Sequence, residues 1–155
     1  MERVFFSSFP PPTISMEERP WKRNDELPEE QFKMECRRWD INEAVFGIWD
    51  VYQPLLRADF SLFDQYEYNH REKPKKFAFP MTVFSAKDDG MIIESMCRGW
   101  NDATSGSFEL QSVKGHHLFP LHSAPKVRWL KETVRGLEDV LEDVELKREY
   151  EGMGV

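Results

Sequence analysis

Two pairs of residues carry the chemistry this sequence could perform. Asp88 stands beside Asp89, and His116 beside His117. A carboxylate against an imidazole holds the ring in one tautomer and stabilises the imidazolium that forms when the ring takes a proton. That is the acid–base half of nucleophilic acyl transfer. The other half is a nucleophile, and one common form is a serine on a sharp strand-to-helix turn, Gly-x-Ser-x-Gly. No such motif occurs in the sequence, and Ser85 falls in the turn that holds the acid pair. Each pair also has a plainer use. An acid in a turn caps the helix that follows, here expected from Met91. Adjacent histidines bind metals, but the spacing supplies no third ligand, so no metal and no cofactor is expected.

The pairs matter only if the chain brings their loops together. An apolar run at 77–84 reads as a strand, with Pro80 near its start. A polar turn at 85–90 follows and carries Asp88 and Asp89. A helix is expected at 91–103 and a strand at 108–113, then a loop at 114–119 carrying His116 and His117. An amphipathic helix over 124–150 would place Val127, Leu130, Val134, Leu137, Leu141 and Val144 on one side. Strand, helix, strand, helix is a right-handed parallel crossover unit of the α/β class. Parallel strands put both loops at the carboxyl end of the sheet, where such folds carry their functional residues.

The first part of the chain differs. Residues 3–7 read as a short buried strand. Residues 9–25, rich in proline and charge, read as a loop. Helical spacing predicts three helices, at 27–39, 42–52 and 54–66, their aromatic residues chiefly helix core. The expected architecture is a partial α/β fold with three parallel strands, a helical insertion at about 26–66 and a long C-terminal helix, in one domain spanning 1–155.

The bulk properties exclude several classes. A net charge of -7 opposes binding to nucleic acid, which requires a basic face. The cluster Arg71–Lys76 reads as a solvated connector. No apolar stretch approaches the roughly 20 residues that span a bilayer, and no signal peptide is evident. Cys36 and Cys97 form no disulfide framework, so a reducing, cytoplasmic setting is expected.

Several segments together resemble the type II thioesterases of the α/β-hydrolase fold. They are Val-Phe-Ser-Ala-Lys-Asp-Asp at 83–89, Gly99-Trp100, Gly-His-His-Leu-Phe at 115–119, Arg57-Ala58-Asp59 with Tyr66, and Val-Phe-Phe-Ser-Ser at 4–8. The match runs over about residues 3 to 137. The family pattern has a strand, a Gly-containing turn with the acid, a helix ending in Trp, a strand and Gly-Gly-His-Phe-Phe. The sequence departs from it at Ala86, Lys114 and His117. The resemblance implies a Ser-Asp-His hydrolase that frees acyl chains from acyl or peptidyl carrier proteins in fatty acid, polyketide or nonribosomal peptide synthesis. It implies Asp89 as the triad acid and His116 as the base, with Asp88 and His117 the alternatives, and 26–66 as the lid. The family's serine-bearing half has no counterpart here, so the chain is expected to be inactive alone and to have that half as a possible partner. A non-catalytic acyl- or carrier-protein-binding module is the alternative expectation.

Overall fold

A computed structural model describes residues 3–21, 23–68 and 76–152. Three strands, β1 (Val4–Ser7), β2 (Met81–Ala86) and β3 (Phe108–Val113), form a parallel sheet in the order β1-β2-β3. Val4 aligns with Met81, and Met81 with Phe108. Parallel neighbours need long crossovers. The first holds the helices α1 (Glu29–Arg38), α2 (Glu43–Phe46) and α3 (Trp49–Asp64). The second holds α4 (Glu94–Arg98) and a 3₁₀ turn at Gly99–Ala103. The long helix α5 (Ser123–Gly152) follows β3.

The central strand β2 is buried at every position, as a parallel strand covered on both faces should be. Its side chains alternate. Met81 and Val83 join Trp21, Trp39, Met91, Ile92, Cys97 and Trp100 on one face. Phe84 and Ala86 join Val113 and Phe119 on the other, with Phe5 and Trp129 against them. The second cluster is the seat of α5, whose Gly136 lies so close under Phe5 that an added Cβ would stand 3.0 Å from the ring.

Five sequence expectations are corrected. The strand expected at 77–84 begins after Pro80, which lacks the N–H that Met81 uses to reach the Ser107 carbonyl at 2.8 Å. Ser85 therefore belongs to the strand and is buried, not in the acid's turn. The helices expected at 42–52 and 54–66 are divided elsewhere. α3 runs through Pro54, which sits early enough to forfeit only the bond to the Asp50 carbonyl, and α2 is a single turn capped by Asn42. The helix expected at 91–103 is shorter because the Asp89 side chain takes the amides of Met91 and Ile92. On α5, Val127, Leu130, Val134, Leu137 and Leu141 lie exposed, since the helix turns Trp129 and Gly136 to the sheet instead. The Arg71–Lys76 connector falls, apart from Lys76, outside the described residues.

Arg57 in α3 ties the helical crossover together. Its guanidinium donates to the carbonyls of Asn24 and Leu27, each at 2.9 Å, and lies 4.2 Å from the Phe32 ring. The Asp64 carboxylate, farther along α3, accepts from the backbone and side-chain N–H groups of Asn24.

Candidate active site

Parallel pairing of β2 with β3 delivers the acid pair and the histidine pair to the same end of the sheet. The pairing continues past the strands. The Lys87 amide donates to the Val113 carbonyl at 2.8 Å and the Asp88 amide to the Gly115 carbonyl at 2.9 Å. The Gly115 amide returns a bond to the Asp88 carboxylate at 3.1 Å. Gly115 has φ 133°, and a Cβ there would stand 3.1 Å from Phe119 Cβ, so a glycine is what lets the loop turn.

Asp89 and His117 meet in this frame. The Nδ1–H of His117 donates to Asp89 Oδ2 at 2.9 Å. Asp89 Oδ1 is occupied by the amides of Met91 and Ile92 at 2.8 and 2.9 Å. The Asp89 side chain is fully buried, and the His117 side chain is 13% exposed. Trp39, at the end of α1, meets the His117 ring edge-on, with centroids 4.7 Å apart. The carboxylate thus holds Nδ1 and leaves Nε2 to accept a proton, the division of labour an acid–base pair needs.

His116 is differently placed. It is exposed, and its Nδ1–H donates to the backbone carbonyl of Asp88 at 3.0 Å. The expected partnership of Asp89 with His116 is therefore not the contact the structure makes. The Gly-Gly-His-Phe-Phe pattern fits this run in two registers: with Gly-Gly on Lys114-Gly115 its histidine is His116, and with Gly-Gly on Gly115-His116 it is His117. The side-chain carboxylate of Asp88 is committed to the Gly115 amide.

Burial alone would raise the Asp89 carboxyl. The bonds from His117, Ile92 and Met91 outweigh it and hold the group below its ordinary value. A carboxyl lowered in the folded state stabilises the fold above its unfolded value near pH 4, and that contribution is lost as the pH falls through the lower folded value. Asp89→Asn should therefore remove part of the acid-side loss. In urea unfolding from pH 7 down to pH 2, the wild type should lose stability below pH about 4 more steeply than the variant. Identical slopes would show that the carboxylate gains nothing from its partners.

Other nucleophiles are poorly set. Burial pushes the thiols of Cys36 and Cys97 up to about 11, so both stay protonated at neutral pH. Ser8 follows β1 with φ 44°, but it is 1% exposed. Among the described residues no group of three or more His, Cys, Asp or Glu side chains could hold a metal.

No protein-family model matches the chain. Gramicidin S biosynthesis protein GrsT of Aneurinibacillus migulanus is 30% identical over 97 residues, covering 60% of this chain and 37% of that protein. Linear gramicidin dehydrogenase LgrE of Brevibacillus parabrevis is 33% identical over 82 residues, covering 53% of this chain and 30% of that one. The thioesterase RedJ from the prodiginine pathway of Streptomyces coelicolor superposes with a TM-score of 0.70 at 23% identity, over 85% of this chain and 49% of RedJ. The fold of this chain is shared with RedJ over that span. Solved type II thioesterases share it, so the likeness read from the sequence extends to the structure. The chain spans about a third of the length of the curated relatives and about half that of RedJ. Among the described residues no helix is long and apolar enough to cross a membrane.

Proposed function

We propose that this chain carries the acid and the base of an acyl-thioester hydrolase that serves carrier proteins of nonribosomal peptide or polyketide synthesis, in the cytoplasm. The observation that carries the reading is the Asp89–His117 contact at 2.9 Å, made through Nδ1 with the acid side chain fully buried. The likeness to GrsT, a protein named for gramicidin S biosynthesis, supports the pathway class. Of the two histidines, His117 is the better base on this geometry, and His116 is the alternative that the motif first suggested.

In the proposed reaction a serine hydroxyl, supplied by a Gly-x-Ser-x-Gly segment outside this sequence, attacks the thioester carbonyl. His117 Nε2 takes its proton while Asp89 stabilises the imidazolium. The proton then goes to the leaving thiolate of the phosphopantetheine arm. Water, deprotonated by the same nitrogen, cleaves the acyl-serine ester and releases the acid. Residues 26–66 act as the lid over the acyl chain.

The absence of that serine motif favours a second reading, a module that binds acyl chains or carrier proteins without hydrolysis. One experiment separates them. Residues 1–155 are assayed on acyl-CoA thioesters alone and fused behind a segment that carries Gly-x-Ser-x-Gly. We expect no turnover alone and turnover in the fusion. A folded fusion that binds acyl-CoA without cleaving it would overturn the hydrolase in favour of the binding module. Turnover by the chain alone, lost in both Asp89→Asn and His117→Ala, would reveal a nucleophile within the 155 residues.

A further inference from the structure

Two apolar cavities lie against α3, and only one of them reaches the Asp89–His117 pair. The near cavity, about 270 Å³, is lined by His117, Trp39, Ile41, Leu56 and Phe60. The far cavity, about 510 Å³, is lined by Phe6, Ile14, Trp21, Leu62, Tyr66 and Trp100. Phe9, Phe63 and Asp59 line both. The rings of Phe9 and Phe63 stand 5.1 Å apart, tilted by 59°, across the boundary.

We infer that the Phe9–Phe63 pair is the partition that sets how far an acyl chain can extend from His117, with the far cavity as space for longer chains when the partition is removed. This rests on the acyl-thioester reading of the site. The Phe9 backbone and the Phe63 ring are both held in place. The Phe9 carbonyl accepts the indole N–H of Trp100 at 2.8 Å, which anchors the loop entering Pro10-Pro11-Pro12. Phe63 packs against Trp21 at 4.6 Å and Trp39 at 6.1 Å. A chain lying on Trp39 and Phe60 runs into the pair end-on. Beyond it the walls are again chiefly aromatic and aliphatic, with Arg19 and Asp59 as their charged members, and the two rings are the obstacle. An alkyl chain is the occupant these walls fit, because each methylene placed on their aromatic and aliphatic side chains leaves water.

The test is binding, so it does not depend on a nucleophile. Saturated acyl-CoA thioesters from four to twelve carbons are titrated by calorimetry into the 155-residue chain, Phe63→Ala and Phe9→Ala. Phe9→Ala guards against loss of folding in Phe63→Ala, because Phe9 is 40% exposed. In the wild type, affinity should rise about fourfold per added methylene and then level off where the chain meets the pair. In both variants the rise should continue to longer chains than in the wild type. A variant that folds and levels off at the wild-type length would overturn the partition while leaving the acyl site standing. A wild type whose affinity never levels off would do the same. A wild type that binds no acyl chain at any length would overturn both the partition and the acyl-thioester reading beneath it.

Discussion

Replacing His117 by alanine should cost a thousandfold or more in kcat once the chain is joined to a serine-bearing half, whereas His116→Ala and His122→Ala should cost less than tenfold. A triad acts as a unit, and loss of its base leaves only the background rate of the remaining groups. Three observations single out His117. Its Nδ1–H is on the Asp89 carboxylate, its ring is braced by Trp39, and it lines the near apolar cavity. His116 spends its Nδ1–H on a backbone carbonyl, and His122 is exposed. The measurement is steady-state hydrolysis of one acyl-CoA by the fusion and its three variants, with acyl-CoA binding as a control for folding. A loss at position 116 equal to that at 117 would return the base to the earlier alternative. If Asp89 acts through His117, Asp89→Asn should also lower kcat while leaving binding intact.

The two loops that meet were legible because their signals are local. Two apolar runs separated by one helix imply parallel strands, and parallel strands put Asp89 and the histidines at one end. Which histidine turns toward the carboxylate was not legible from spacing, because neighbours in a loop point in different directions. That choice is made by Gly115, whose positive φ sets the turn, and by Trp39, some eighty positions earlier in the chain, whose ring braces His117. The helix boundaries in the first crossover failed for a similar reason. Pro54 reads as a helix start, yet α3 continues through it because Trp49, Phe60 and Leu56 pack as one face against Phe32 and Cys36. The exposed stripe on α5 shows the limit of periodicity. Val127, Leu130, Val134 and Leu137 keep a helical repeat, but the sheet takes the neighbouring face, where Trp129 and Gly136 fit beneath Phe119 and Phe5.

Trp100→Ala should be among the most destabilising single changes in the chain, by about 3–5 kcal/mol, the usual range for truncating a buried tryptophan. The indole is 5% exposed and stacks on Phe6 with ring centroids 3.8 Å apart and 14° between planes. It therefore joins β1 to the 3₁₀ turn that ends the second crossover. Its N–H also donates to the Phe9 carbonyl at 2.8 Å. Alanine removes the apolar contact, leaves a cavity in the core cluster that Trp100 shares with Met91 and Ile92, and strands that carbonyl. Trp100→Phe separates the effects, since it keeps a ring against Phe6 and loses the N–H. The lost bond alone should cost about 1 kcal/mol, with a further penalty for the smaller ring. Urea denaturation followed by circular dichroism gives both values. A loss below about 1 kcal/mol in Trp100→Ala would mean that the first core cluster closes without the indole. A Trp100→Phe variant as unstable as Trp100→Ala would assign the stability to the bond with Phe9 rather than to burial. In that case the loop bearing Phe9, and not the stacking on Phe6, would be what ties the strand to the turn.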